Sequence, residues 1–154
     1  MAVAAALAMC LLSACVPDIG PVGTPNPSPD LGMRDTLVED VRTAAAGTRI
    51  EFERILGDGW SYVAVLGPHS SNRTAELALD FPFDIEGMSP FNGANGGSVF
   101  VLGNNDGLVG WFPVFAAEFE PSCLNGMRFV AQDAVFWVAR SGPVPVLWTT
   151  DIGC

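Results

Sequence analysis

Residues 98–115, "SVFVLGNNDGLVGWFPVF", decide the fold because they contain two apolar runs joined by a short stretch of turn residues. Asn105, Asp106 and Gly107 lie between the runs. Asp-Gly in such a place is among the strongest local signals of a β-hairpin, since both residues tolerate positive φ. The stretch therefore predicts two antiparallel strands connected by a tight turn.

Two segments upstream of this hairpin also favour strands. Residues 60–66, "WSYVAVL", are almost wholly apolar and rich in β-forming residues, as is typical of a central strand. Residues 49–53, "RIEFE", alternate charged and apolar side chains, which predicts a strand buried on one face. Because residues 57–59, "GDG", are turn chemistry, we expect these two strands to form a second hairpin.

Downstream of the central hairpin the sequence predicts further strands. Residues 127–140, "MRFVAQDAVFWVAR", and 144–150, "VPVLWTT", each favour one strand, and a Ser-Gly-Pro turn at 141–143 separates them. Short turns rather than helical crossovers join these elements. We therefore expect an α+β fold, a small single domain with a mostly antiparallel sheet of about five to six strands and two short helices.

The two helices are predicted from capping signals. Thr36 and Glu39 fit a capping box, so that a helix should begin at Thr36, and Gly47 supplies the left-handed residue that commonly ends one. In residues 70–80, "SSNRTAELALD", Ser70 or Ser71 can cap a second, shorter helix.

The first fourteen residues carry no charged side chain. This run is too short for a membrane-spanning helix, which needs about twenty apolar residues, and it is typical of a signal peptide. Leu12-Ser13-Ala14-Cys15 resembles the lipobox of bacterial lipoproteins. The resemblance implies that a diacylglyceryl group is attached to Cys15 and that the chain is cut before it. An exported protein, lipid-anchored to the cell membrane or outer membrane, is the expected result.

A tether is expected to follow the anchor. Residues 15–32 are rich in proline and glycine, a composition that stays extended. We therefore predict a signal peptide at 1–14, a tether at 15–32 and a globular α+β domain at 33–154, which is long enough to bury its own core.

The charge balance limits the partners. Seven basic residues, all of them Arg, stand against seventeen acidic ones, giving a formal charge of −10. Such a chain has no basic patch for nucleic acid and is repelled by anionic headgroups. We therefore expect membrane contact through the lipid alone. A protein partner would be another envelope protein. No motif in the sequence indicates a cofactor.

Cys123 and Cys154 remain in the mature chain as a pair. An exported compartment would oxidise them, and closing a loop of about thirty residues contributes roughly 3 to 4 kcal/mol. Two free thiols are an alternative. A metal pair is another, although a zinc site would need further Cys or His ligands.

A second resemblance covers residues 60–70, "WSYVAVLGPHS". The segment resembles a scattered group of small, uncharacterised and often exported bacterial proteins, in which Trp-Asp opens an apolar strand that runs into Gly-Pro-Tyr-Thr. Here Ser61 replaces the Asp, and His69-Ser70 replaces Tyr-Thr. The resemblance implies a similar order of elements over about residues 48–115 and no particular activity.

Two functions are compatible with these residues. The first is a non-enzymatic binding module whose interaction surface includes Trp60 and the aromatic loop after the second helix; the surface residues are Trp60, His69, Phe81, Phe83 and Phe91. The second is a small envelope hydrolase that uses His69, the only histidine, or the acidic cluster of Asp80, Asp84 and Glu86. Because no Gly-x-Ser-x-Gly elbow is present and coincidental carboxylate pairs are expected in an acidic chain, we favour the binding module.

Overall fold

Two antiparallel sheets form the domain, as seen in a computed structural model that describes residues 25–88 and 96–150. The strand orders are β1-β6-β7 and β4-β3-β2-β5. In chain order the elements are α1 (Leu31–Thr43), β1 (Arg49–Glu51), α2 (Phe52–Leu56), β2 (Tyr62–Leu66), α3 (Asn72–Leu79), β3 (Gly97–Asn104), β4 (Gly107–Phe115), β5 (Met127–Val130), β6 (Val135–Ala139) and β7 (Val146–Trp148). The α+β class and the antiparallel pairing are confirmed. The described residues form seven strands and three α-helices, more than the sequence predicts.

The four-stranded sheet is the middle layer of the domain. Val63 and Val65 of β2 contact one hydrophobic core, which also receives side chains from α1, α2 and the three-stranded sheet. Ala64 and Leu66 contact a second core, formed with α3 and residues 83–85. Every residue of β2 is buried. The central-strand prediction for residues 60–66 is therefore confirmed, with the strand covered on both faces.

Aromatic rings join the two sheets across the first core. The rings of Phe100 and Phe112, on adjacent strands, are stacked with centroids 5.5 Å apart. The ring centroid of Phe52 lies 5.7 Å from that of Phe100 and 4.5 Å from that of Phe136 in the three-stranded sheet. Such ring pairs add to the free energy gained from burial.

The β3–β4 hairpin forms as the sequence predicts. Gly107 has a φ of 117°, which glycine adopts without strain. In the turn, the Asn104 Oδ1 accepts a hydrogen bond of 2.9 Å from the backbone N–H of Asp106. The register shifts between Leu102, which pairs with Gly110, and Gly103, which pairs with Leu108, so the hairpin carries a bulge on β4.

The predicted hairpin between residues 49–53 and 60–66 is wrong. β1 has only three residues and pairs with β6 of the other sheet. Phe52 begins α2 instead of continuing the strand, because Phe52 and Leu56, four residues apart, are both buried on one side of a helical turn. The strand predicted from the alternation over 49–53 therefore ends at Glu51, where the helical spacing of buried residues begins.

The predicted strand at 127–140 is divided into two. A short 3₁₀ helix, Ala131–Asp133, interrupts it. β5 pairs with β2 in the four-stranded sheet, whereas β6 pairs with β1 and β7 in the other. One continuous strand cannot belong to both layers, so this break is what adds a sheet to the expected fold.

The first helix begins five residues earlier than the capping box predicts. Asp30 is its N-cap and accepts a hydrogen bond of 2.9 Å from the Met33 N–H. Thr36 lies inside the helix and donates to the Gly32 carbonyl. α1 ends at Thr43. The shorter helix is confirmed as α3, with Ser71 as its cap.

Part of the predicted tether contacts the domain. The Asn26 side chain donates to the Asp84 carbonyl at 2.9 Å, and the Trp111 Nε1 donates to the Pro27 carbonyl at 2.7 Å. The Asp30 N–H donates to the Trp111 carbonyl. The folded part therefore begins before residue 33. The predicted signal peptide and Cys15 lie outside the described residues, as do Phe91 and Cys154. Within the described ranges, no helix has the length and apolarity to cross a bilayer.

Candidate functional site

His69 lies on an exposed turn between β2 and α3. The turn borders a shallow depression of about 250 Å³, which is also lined by Thr74 and Asn125. The Asn125 side chain is held there by the buried Ser98, whose Oγ donates to Asn125 Oδ1 at 2.9 Å. A Cβ atom added to Gly67 would lie 2.8 Å from Asn125 Cγ, so glycine is required where this side chain crosses the end of β2.

The three residues of the predicted acidic cluster do not meet at one point. Asp84 and Glu86 accept hydrogen bonds from Asn72 at the start of α3, at 3.0 and 3.2 Å. Asp80 caps the other end of the same helix, about 12 Å away along its axis, and forms an ion pair with Arg128. Asp84 and Glu86 therefore contact the start of α3 and Asp80 lies at its other end, so the three carboxylates do not form one cluster.

A cluster that the sequence does not indicate lies at the end of α3. The guanidinium carbon of Arg128 is 3.6 Å from the centroid of the Tyr62 ring, and the Tyr62 hydroxyl donates to the Leu79 carbonyl at 2.7 Å. Burial raises the pKa of Tyr62; the Arg128 charge lowers it and the Asp80 charge raises it further. These contacts attach α3 to the edge strand β5. Because they join residues far apart in the chain, no local pattern could have revealed them.

Two of the five residues of the predicted interaction surface, Trp60 and Phe83, are part of the core. Trp60 is only 6% exposed, and its Nε1 donates to the Gly57 carbonyl. Phe83 is 3% exposed and packs edge-on against Trp111. Phe81 is partly buried against the same core. Of the five predicted residues, only His69 is well exposed within the described ranges.

The outer face of the three-stranded sheet presents aromatic side chains that are only partly covered. Burial alternates along β6, with Phe136 and Val138 in the core and Trp137 on the other face. Trp137 lies directly opposite both Arg49 of β1 and Trp148 of β7. Since opposed residues in an antiparallel sheet share a face, the three side chains form one row across it. The alternation in "AVFWVA" is the signal that could have revealed this face.

A concavity of about 450 Å³ lies at the end of this sheet where β6 begins. Its lining residues are mostly polar or aromatic: Arg49, Gln132, Asp133, Val135, Trp137, Thr149 and Thr150. Arg49 Nη1 is 2.8 Å from Glu51 Oε1, and the two side chains are 53% and 41% exposed. The concavity therefore combines an indole with charged hydrogen-bonding groups that solvent can reach.

Among the described residues, no group of three or more His, Cys, Asp or Glu is arranged to hold a metal ion. No known protein family, curated protein or solved structure matches the chain.

Proposed function

We propose that this chain is a lipid-anchored protein of the bacterial cell envelope, whose folded domain binds an envelope component without transforming it. The observation that supports binding is the row of Arg49, Trp137 and Trp148 on the outer face of the three-stranded sheet. Trp and Arg are the residues most enriched where proteins bind their partners. This face replaces the aromatic loop as the proposed interaction surface.

The proposed location depends on the lipobox-like residues Leu12-Ser13-Ala14-Cys15. Two or three acyl chains anchor a protein stably, since each buried methylene contributes about 0.8 kcal/mol. The first domain contacts are made by Asn26 and Pro27. An extended segment from Cys15 to that point spans roughly 35 Å. This reach is sufficient to place the domain beyond the headgroups.

The disulfide between Cys123 and Cys154 belongs to the same proposal. The Leu147 N–H of β7 donates to the Glu120 carbonyl at 3.0 Å, which brings the segment before Cys123 beside the last strand. Cys154 follows Trp148 by six residues, and six residues reach roughly 20 Å when extended. A segment of this length is long enough to bring Cys154 to Cys123, which supports the proposed disulfide.

The alternative function, a small hydrolase that uses His69 or the acidic residues, is not favoured by the geometry. Asp84 and Glu86 are engaged by Asn72, and Asp80 is engaged by Arg128. A hydrolytic pair would have to release one of these structural contacts.

The anchor is tested by measuring the intact mass of the protein extracted from native membranes, with and without reduction. We expect a chain that begins at acylated Cys15. On reduction, each of the two sulfur atoms of the proposed disulfide should gain one hydrogen. A Cys15→Ser variant should lose the lipid, whereas Cys10→Ser should keep it. An unacylated wild-type chain would contradict the proposal.

The binding face is tested by photo-crosslinking in cells. A photoreactive residue at position 148 should give crosslinks to envelope material. The matched control is position 77, where Leu77 is 71% exposed on α3, in the layer on the opposite side of the four-stranded sheet. Crosslinks from position 77 but not from position 148 would place the interaction surface elsewhere.

A further inference from the structure

We propose that the outer face of the β1-β6-β7 sheet binds a neutral saccharide, with Trp137 and Trp148 as its stacking platform. This inference rests on the proposed function, because it names the class of envelope component that the domain binds.

Trp137 and Trp148 lie near enough to each other to contact one saccharide together. Trp137 and Trp148 are opposed on neighbouring strands, where side chains start about 5 Å apart. A pyranose ring with equatorial hydroxyls exposes flat patches of C–H groups on both faces. Such patches pack on the face of an indole, which carries the negative part of the aromatic quadrupole. Two indoles side by side can therefore support one or two consecutive rings.

The concavity beside the platform supplies the hydrogen-bonding groups that hydroxyls require. A sugar hydroxyl both donates and accepts, so a site for it needs both kinds of partner. Arg49 and the Gln132 amide provide donors, whereas Asp133 and the Gln132 carbonyl provide acceptors around the same cavity of about 450 Å³. A few convergent polar groups around an aromatic wall are typical of small-ligand sites.

Charge favours a neutral saccharide over an acidic one. The chain has a formal charge of −10, and its field repels polyanions before they reach the surface. Among the described residues that line the concavity, Arg49 is the one cation and is already paired with Glu51, and Asp133 adds a negative charge. A phosphate or uronic acid polymer would therefore meet net repulsion there.

Size favours a saccharide over a protein partner. The three strands have three, five and three residues. At the usual strand spacing and rise, these eleven residues present a face of roughly 180 Å². A specific protein interface buries about 800 Å² on each partner, whereas one or two sugar rings fit the smaller area.

The test is a fluorescence titration of the full chain in a detergent without a sugar headgroup, with cellohexaose and chitohexaose as probes. Trp60 and Trp111 are only 6% and 7% exposed, so a change in emission reports mainly on Trp137 and Trp148. We expect saturable binding of at least one probe. Trp137→Ala and Trp148→Ala should each weaken it at least about tenfold, which corresponds to about 1.4 kcal/mol.

Two further variants keep the test decisive if a tryptophan variant fails to fold. Gln132→Ala changes an exposed side chain at the concavity and should also weaken binding, whereas Leu77→Ala on the opposite layer should leave it unchanged. The inference is overturned if neither probe binds. It is also overturned if Gln132→Ala and a folded tryptophan variant both bind the probe as tightly as the wild type does. A dimer that the tryptophan variants dissociate would assign the face to a second copy of the chain and would also overturn it.

The failure of this inference can be distinguished from the failure of the proposed function. Crosslinks from position 148 to envelope material without saccharide binding would refute the ligand class alone. An unacylated chain without crosslinks from position 148 would refute the proposed function itself, whatever the titration shows.

Discussion

The two sheets of this domain differ in how their strands are covered. In the four-stranded sheet, β2 is buried throughout and β3 is buried from Gly97 to Gly103. In the three-stranded sheet, buried and partly exposed residues alternate along β6. The difference shows that a continuous apolar run indicates a strand between two layers, whereas alternation indicates a strand with one face toward solvent.

Because of this difference, we expect substitutions in the four-stranded sheet to affect mainly stability and substitutions on the outer face of the three-stranded sheet to affect mainly binding. A substitution in the four-stranded sheet disturbs one of the two cores, according to the face on which the side chain lies. The outer face of the three-stranded sheet carries Trp137 and Trp148 at little structural cost, because their side chains fill neither core. The following variants test this separation.

The largest effect is expected from Phe100→Ala. Phe100 is fully buried and contacts the rings of Phe52 and Phe112. Removing such a side chain leaves a cavity and should lower the free energy of unfolding by about 3 to 5 kcal/mol. Urea denaturation measures the change. Val109→Ala, at an exposed position of β4, should change it by less than about 0.5 kcal/mol, and equal losses in both variants would contradict the layered core.

Gly103→Ala should be the next most damaging change. A Cβ atom there would lie 2.4 Å from Tyr62 Cζ, inside the four-stranded sheet. The overpacking should cost up to about 3 kcal/mol. Gly110→Ala is the matched control on the same hairpin, because its nearest neighbour would be Met33 Sδ at 3.9 Å. Thermal denaturation of both variants makes the comparison; a Gly103→Ala protein as stable as Gly110→Ala would show that β2 and β3 are packed differently.

One isosteric substitution compares the two sheets directly. Val101→Thr places a hydroxyl between two buried layers, where Val101 is 0% exposed, and should cost about 1 to 3 kcal/mol. Val135→Thr makes the same change on the outer face, where the hydroxyl stays near water, so its effect should be smaller. If urea denaturation gives equal losses for the two variants, the outer face is covered and the comparison fails.

The smallest expected effect is a fall in the free energy of unfolding at alkaline pH, caused by Tyr62. Burial raises the pKa of Tyr62 above its usual value of 10.0. The folded state therefore holds this proton more tightly than the unfolded state. The contribution of this protonated hydroxyl to the free energy of unfolding is fully present below pH 10 and is lost as the pH rises through the raised pKa.

The matched variant for this effect is Tyr62→Phe. At neutral pH it should cost about 1 kcal/mol, since the hydroxyl no longer bonds the Leu79 carbonyl. Above pH 10, its unfolding free energy should fall less steeply than that of the wild type. Parallel slopes in urea titrations from pH 9 to pH 11 would show that Tyr62 does not titrate differently in the folded state.

Much of the fold was predictable where the signal is local. The β3–β4 turn, the apolar run of β2 and the Ser71 cap of α3 each depend on a few neighbouring residues. The errors arose where two local signals compete. Thr36 and Glu39 match a capping box, yet Asp30 caps the helix, because the chain before it is already bound to Trp111.

The division into two sheets was not predictable from neighbouring residues. It depends on short interruptions at Phe52–Leu56 and Ala131–Asp133, whose length is below that of a recognisable helix. The same holds for the candidate site. Arg49, Trp137 and Trp148 come from three separate segments, and only the pairing of β1, β6 and β7 brings them together.

Hydroxyl-radical footprinting of the four tryptophans tests the central claim most directly. We predict that Trp137 and Trp148 are oxidised rapidly, and that Trp60 and Trp111, at 6% and 7% exposure, react slowly. Saccharide added in excess should then protect the first pair alone. Oxidation of Trp60 or Trp111 at the rate of Trp137 would contradict the separation of a buried middle layer from an open binding face.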